Sequence, residues 1–123
     1  MIKSTKYIYL VYEFCEGGTL EDMLRQRAPM PEKEALIVFR QLIHALKSLH
    51  EHHILHRDIK PNNIFFKAGH LKLADFGFCK KLRSSDDFTQ TSLGSPLYMA
   101  PEILNGDVYG SKADVWSCGI VLY

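Results

Sequence analysis

Residues 56–63 read His56-Arg57-Asp58-Ile59-Lys60-Pro61-Asn62-Asn63, and a second acid follows in Asp75-Phe76-Gly77. Asp58 offers a carboxylate that can accept or orient the proton of a hydroxyl, the task of a general base. Asn63 and Asp75 offer an amide oxygen and a carboxylate, hard ligands of the kind magnesium takes while keeping several waters. Lys60 stands two residues beyond Asp58 and adds a cation. A third ordered element, Ala100-Pro101-Glu102, closes the segment. The dense histidines His50, His52, His53 and His56 also hold ligand chemistry, since imidazole binds transition metals. No cysteine pair lies at zinc spacing, and His50 and His53 share a helix face near its end, so a structural metal is not expected.

These groups need elements to position them. Tyr7 to Phe14, rich in aromatic and β-branched residues, is predicted to be a strand, broken by Cys15-Glu16-Gly17-Gly18. Thr19-Leu20-Glu21-Asp22 has the pattern of a capping box that starts a short helix, which stops near Ala28-Pro29. Pro31 with Glu32 and Glu34 opens a longer helix, the acids at its positive end. Its Ala35, Phe39, Leu42, Ile43, Leu46 and Leu49 follow the 3.6-residue period of a core-facing stripe. Ile54 to Asn63 lacks a period and is expected to be a loop. Two short strands, Ile64-Phe65-Phe66 and Leu71-Lys72-Leu73, flank an Ala68-Gly69-His70 turn. Ser84 to Thr91 is polar and expected to be mobile. Ser111-Lys112-Ala113-Asp114 repeats the capping-box pattern ahead of an apolar helix over Val115 to Tyr123, expected to be buried. No repeat, low-complexity segment or linker divides the chain.

Its 123 residues suit one compact domain, and 46% hydrophobic with 24% charged residues is the composition of a soluble globular protein. A net charge of +1 gives no bulk electrostatic reason for a nucleic-acid or membrane partner. No apolar run approaches the ~18 residues of a membrane span, and residues 1–6 carry no secretory signal. Cys15, Cys79 and Cys118 are odd in number and far apart. Reduced thiols and a cytoplasmic, or nuclear, location fit them better than a disulfide framework.

The order His-Arg-Asp-x-x-x-x-Asn, Asp-Phe-Gly and Ala-Pro-Glu resembles the signature of eukaryotic-type protein kinases over nearly the whole chain. The resemblance implies an α+β fold: mainly the helical C-terminal lobe, with the hinge strand and a short β-hairpin. It implies ATP and Mg2+ as cofactors and a protein substrate with a Ser or Thr acceptor. Asp58 would meet the substrate hydroxyl, Lys60 the transferring phosphate, and Asn63 and Asp75 the metal. Asp-x-Lys-Pro-x-Asn and Gly94-Ser95-Pro96-x-Tyr98 resemble the serine/threonine branch, with the Ser95 hydroxyl on Asp58 and Lys60. Phe78 is the large residue associated there with serine acceptors, and Asn62 replaces the Glu that many arginine-directed kinases carry. On the same alignment Tyr12 is the gatekeeper, Glu13 begins the hinge, and the Cys15 N–H and C=O face adenine. Phe65 would lie beneath the purine and can at the same time be a core aromatic. Cys15 is expected to serve through its backbone rather than as a reactive thiol. Cys79 lies near the nucleotide, with Lys80 and Lys81 adjacent but nothing in the sequence establishing a lowered pKa.

The resemblance also implies regulation. Arg57 would pair with a phosphorylated loop residue, with Thr91 at the usual position and Ser92 and Thr89 as alternatives. An activating kinase or autophosphorylation in trans would supply that phosphate. Asp114 has two compatible readings: locally the third residue of its capping box, and by the resemblance the buried acid that anchors the His-Arg-Asp backbone. His56 and Phe76 would stack in a hydrophobic spine, and Glu102 would pair with an arginine of a later helix. A complete catalytic domain in this family is about twice as long, with a glycine-rich loop and a strand lysine that are not found here. Residues 1–123 are therefore expected to be a partial catalytic domain, with most of the small lobe and the late helices absent, that does not turn over alone. The competing expectation is a non-catalytic fragment that binds or interferes with a kinase partner.

Overall fold

The computed structural model describes residues 1–27 and 29–123. The chain opens with a minimal antiparallel ribbon, β1 (Ile2–Lys3) and β2 (Ile8–Tyr9), closed where the Ser4 hydroxyl accepts the Tyr7 N–H at 3.0 Å. The strand expected over 7–14 is thus only two residues long. Leu10 to Phe14 have no ladder partner, and Tyr12 and Phe14 are each 80% exposed. Strand preference does not form a strand without a neighbour to receive its hydrogen bonds.

The connector that follows lies along the hairpin. Gly17 N–H donates to Phe66 C=O at 3.0 Å, and Phe66 N–H donates to Gly18 C=O at 3.0 Å. A Cβ on Gly17 would stand 2.8 Å from both the Cβ and the carbonyl oxygen of Phe66, so this approach requires glycine. Helix α1 (Leu20–Arg27) begins with the expected capping box: Thr19 Oγ1 accepts the Asp22 N–H at 3.1 Å, and Asp22 Oδ2 accepts the Thr19 N–H at 3.0 Å. Its expected stop at Ala28 falls outside the described residues. Helix α2 (Glu32–Glu51) starts directly after Pro31, and its apolar stripe buries Leu42 and Leu46.

His53 adopts φ 57°, a left-handed turn that swings the chain out of α2 into β3 (Ile54–Leu55). The 3-10 turn Pro61–Asn63 then leads into the hairpin of β4 (Ile64–Lys67) and β5 (His70–Leu73). Its register pairs Ile64 with Leu73 and Phe66 with Leu71 on the core side, leaving Phe65 opposite Lys72 on the outer face. Ala68 and Gly69 supply the two positive φ angles (46° and 77°) of the two-residue turn. After Phe78, β6 (Lys80–Lys81) returns antiparallel to β3. Short α3 (Pro101–Leu104) and α4 (Lys112–Leu122) complete the chain.

Two apolar clusters form the interior. One joins Leu20, Leu42, Leu46, Ile59, Ile64, Phe66 and Cys118; the other joins Leu55, Leu82, Ala100, Ile103, Tyr109 and Ala113. Helix α4 belongs to both, through Cys118 and Ala113. It is not buried all round, as its composition suggests, because Val115 and Trp116 are each 47% exposed. The stretch 84–91 also departs from expectation. Thr89 and Tyr109 exchange backbone hydrogen bonds of 2.9 and 2.8 Å, which pins the polar loop to the residues before α4.

Candidate active site

The residues from His56 to Asn63 run between β3 and the Pro61–Asn63 turn, and their conformation depends on one distant acid. Asp114, 2% exposed on α4, accepts the His56 N–H through Oδ2 at 2.9 Å and the Arg57 N–H through Oδ1 at 2.8 Å. Those bonds hold Arg57 at φ 69°, a conformation that costs a non-glycine residue about 1–3 kcal/mol. The capping box expected at Ser111 is not formed: Ser111 makes no side-chain cap, and the Asp114 carboxylate is committed to the loop. His50 reaches the same carboxylate, with Nε2 3.1 Å from Oδ2.

On this loop Asp58 is 3% exposed, and both of its oxygens are engaged. Oδ1 accepts Ser95 N–H at 3.1 Å and Ser95 Oγ–H at 2.9 Å. Oδ2 accepts Lys60 Nζ at 2.8 Å and Asn63 Nδ2 at 2.9 Å. Lys60 Nζ also donates to Ser95 Oγ at 2.9 Å, which closes the ring. Burial alone would raise the Asp58 carboxyl, but hydrogen bonds from Lys60, Ser95 and Asn63 outweigh it and hold the group below the usual carboxylate range. The structure therefore brings Asp58, Lys60, Asn63 and Ser95 together, although Ser95 is 37 residues away.

Asp75 joins this group through the backbone: the N–H of Ala74 donates to Asn63 C=O at 2.9 Å. Asp75 itself sits in the left-handed region at φ 63°, and its Oδ1 caps Gly77 N–H at 3.3 Å. Asn63 Nδ2 donates to both the carbonyl and the carboxylate of Asp58, at 2.8 and 2.9 Å. Among the described residues, then, no protein donor meets Asn63 Oδ1 or Asp75 Oδ2. That donor set, one amide oxygen and one carboxylate oxygen, fits a hard divalent cation.

His56 is fully buried between these parts. Its Nε2 meets Ala74 C=O at 3.1 Å and its Nδ1 accepts the Asp58 N–H at 3.3 Å, so the neutral ring carries its proton on Nε2. Desolvation lowers its pKa despite the opposing pull of Asp114, Ala74 and Asp58. Its ring meets Phe76 edge-on at 5.4 Å, and Phe76 is 51% exposed. Cys79 is not an activated thiol. Burial pushes it up to about 11, and its Sγ is 3.6 Å from His56 C=O.

Arg57 Nε donates to Phe78 C=O at 2.6 Å and Nη1 reaches the Tyr109 hydroxyl at 3.4 Å. Thr91 and Ser92 are exposed, whereas Thr89 is buried with its hydroxyl accepting Lys80 Nζ at 2.8 Å. Glu102 is half-buried, with no ion pair among the described residues. At the other edge, Glu13 turns toward the hairpin, pairing with Lys67 at 2.9 Å and Lys72 at 3.3 Å. The Cys15 carbonyl accepts Gly18 N–H at 3.3 Å, so part of its expected adenine-facing capacity serves the connector turn. Phe65 is half-buried on the outer face of β4. The four clustered histidines do not converge. His50 faces Asp114 and His52 Nδ1 bonds Ser48 C=O at 2.7 Å, and the described residues hold no group of three or more His, Cys, Asp or Glu side chains arranged for a metal.

Sequence reasoning missed three contributors. His50 reaches Asp114 across 64 residues, Ser117 Oγ donates to Tyr98 C=O at 2.7 Å, and Tyr109 bridges Arg57 and the loop. No local pattern marks them; only long-range pairing does.

The chain that carries this buried, cation-held aspartate belongs to the protein kinase family. The family described as "Protein kinase domain" matches residues 1–123. The chain is 47% identical over 120 residues to Serine/threonine-protein kinase ULK3 of Xenopus laevis, covering 95% of this chain and 25% of that protein. The human ULK3 protein is 45% identical over 119 residues, covering 94% of this chain and 25% of that protein. Maternal embryonic leucine zipper kinase of Danio rerio is 44% identical over 126 residues, covering 100% of this chain and 19% of that protein. The chain thus spans about a quarter or less of the length of these relatives. No helix among the described residues is long and apolar enough to cross a membrane.

Proposed function

We propose that residues 1–123 form one continuous part of a serine/threonine kinase domain that transfers the ATP γ-phosphate to protein hydroxyls. The observation that supports this most is the convergence of Lys60, Asn63 and Ser95 on the buried Asp58 carboxylate. A carboxylate held below its ordinary pKa is a weak base. Asp58 therefore orients the acceptor hydroxyl and receives its proton only as the oxygen becomes bonded to phosphorus. Lys60 lies 2.8 Å from that carboxylate and supplies positive charge where the phosphoryl oxygens gather. Asn63 Oδ1 and Asp75 Oδ2 would hold Mg2+, which when bound neutralises phosphate charge. Phe65 and the Cys15 backbone would border the adenine, with Glu13 fixing that border through Lys67 and Lys72.

Thr91 is the loop residue we assign to phosphorylation, by an activating kinase or in trans, because it holds the position the resemblance implies and is exposed, whereas Thr89 is buried. Reduced cysteines suit a cytoplasmic or nuclear setting. The isolated chain, with Asp75 and Phe76 exposed, is assigned no turnover of its own; a binding or interfering role for such a piece is the second reading. In the intact protein, Asp58→Asn should lower magnesium-dependent phosphate transfer to a serine peptide by about 10²–10⁴-fold. Transfer within a factor of two of wild type would remove Asp58 from the chemistry.

A further inference from the structure

Tyr109 lies outside every motif that the site uses, yet it joins three parts of the regulatory segment. It is 2% exposed, and its ring packs in the cluster of Leu55, Leu82, Ala100, Ile103 and Ala113, so the core sets its position rather than the loop. Its backbone exchanges both hydrogen bonds with Thr89. Its hydroxyl donates to Thr91 C=O at 2.5 Å and accepts from Arg57 Nη1 at 3.4 Å. A phenol has one proton and can accept as well as donate, so one hydroxyl can hold the loop and the arginine together. Arg57 is anchored from its other side by Asp114, on its N–H, and by Phe78 C=O, on Nε. Its planar guanidinium has five donors, which leaves capacity for a bidentate anion beside Thr91.

We propose that Tyr109 is a positioning residue for the loop switch: its hydroxyl holds the unphosphorylated Thr91 backbone in register with Arg57, so that a phosphate on Thr91 meets an arginine already in place. This rests on the reading of Thr91 as the phosphorylated residue. The ordering cost that a free loop would meet on phosphorylation is largely met beforehand by the Thr89–Tyr109 pairing and the phenol contact.

The test uses the intact protein with Thr91 phosphorylated or not, and the readout is the ratio of the two kcat/KM values. Tyr109→Phe keeps the ring and should reduce that ratio about five- to tenfold, the size of one ordinary lost hydrogen bond. In an Arg57→Gln background the same change should do nothing further, because the phenol acts through the arginine. An unchanged ratio for Tyr109→Phe, or an equal loss in both backgrounds, overturns the proposal. Hydrogen exchange of wild type needs no variant: the Thr89 and Tyr109 amides, which exchange hydrogen bonds, should be protected before phosphorylation, and protection that appears only afterwards also overturns it. Thr91→Ala separates the two readings. If activation survives that change, the assignment of Thr91 falls and the proposal with it. If activation depends on Thr91 but ignores Tyr109, only the proposal falls.

Discussion

Asp58 and His56 show how two titratable groups two residues apart are tuned in a shared setting. Both lie below their ordinary pKa values, for different reasons. His56 is lowered by burial, so folding excludes its cation, whereas Asp58 is lowered by its Lys60, Ser95 and Asn63 donors against the pull of burial. Each contributes stability that is present above the unfolded-state value and lost as pH falls toward the folded one. For His56 the loss begins near 6.5 and continues below it; for Asp58 it begins near 3.8. Thermal melts should show the protein losing stability between pH 7.5 and 5.5, where Asp58 stays ionised. His56→Phe, less stable at pH 7.5, should show a smaller loss across that range. Equal pH slopes in both proteins would assign the effect to other groups. The identity of Asp58, Asn63 and Asp75 as candidate residues was legible in the sequence, because their spacing is local. Their engagement was not, since Ser95 lies 37 residues from Asp58, and Asp114, which holds the loop backbone, lies 58 residues from His56.

At the scale of elements, local rules worked where local contacts decide. The Thr19 capping box, the start of α2 after Pro31 and the β4–β5 hairpin all form as their sequences predict. They failed where a partner was needed. The strand over 7–14 shrank to Ile8–Tyr9, and the second capping box gave up its acid to the loop. The connector at Gly17 belongs with these tertiary constraints, because Phe66 sits against its Cα. Gly17→Ala should therefore push the connector off β4 and break one or both of its bonds to Phe66, at a cost of about 1–3 kcal/mol. Hydrogen exchange at the Phe66 amide reads this directly, and unchanged protection would count against it. Thr19→Ala, which removes only the local cap, should cost about 1 kcal/mol and leave that amide protected.

Across the whole molecule, the two interior clusters meet through α4, but large apolar surfaces remain outside them. Tyr12 and Phe14 are exposed beside the connector, and an open cleft of about 410 Å³ is lined by Leu24, Met30, Val38, Phe39, Val121 and Tyr123. Surfaces of this kind favour association when left in water. The isolated chain should bind a hydrophobic dye, sediment as more than monomer, and show no magnesium-dependent transfer. A monodisperse monomer that phosphorylates a serine peptide would contradict this. By itself the sequence determined the family and named candidate residues for its chemistry, because motif spacing and hydrophobic period are properties of neighbouring residues. It also determined the local helix and hairpin starts, whose hydrogen bonds close within a few positions. Only the tertiary structure decided which acid holds the Asp58 loop, which loop threonine is exposed, and that Tyr109 stands between Arg57 and Thr91. Those outcomes depend on buried groups meeting across tens of residues, where each polar atom must find its partner once water is excluded.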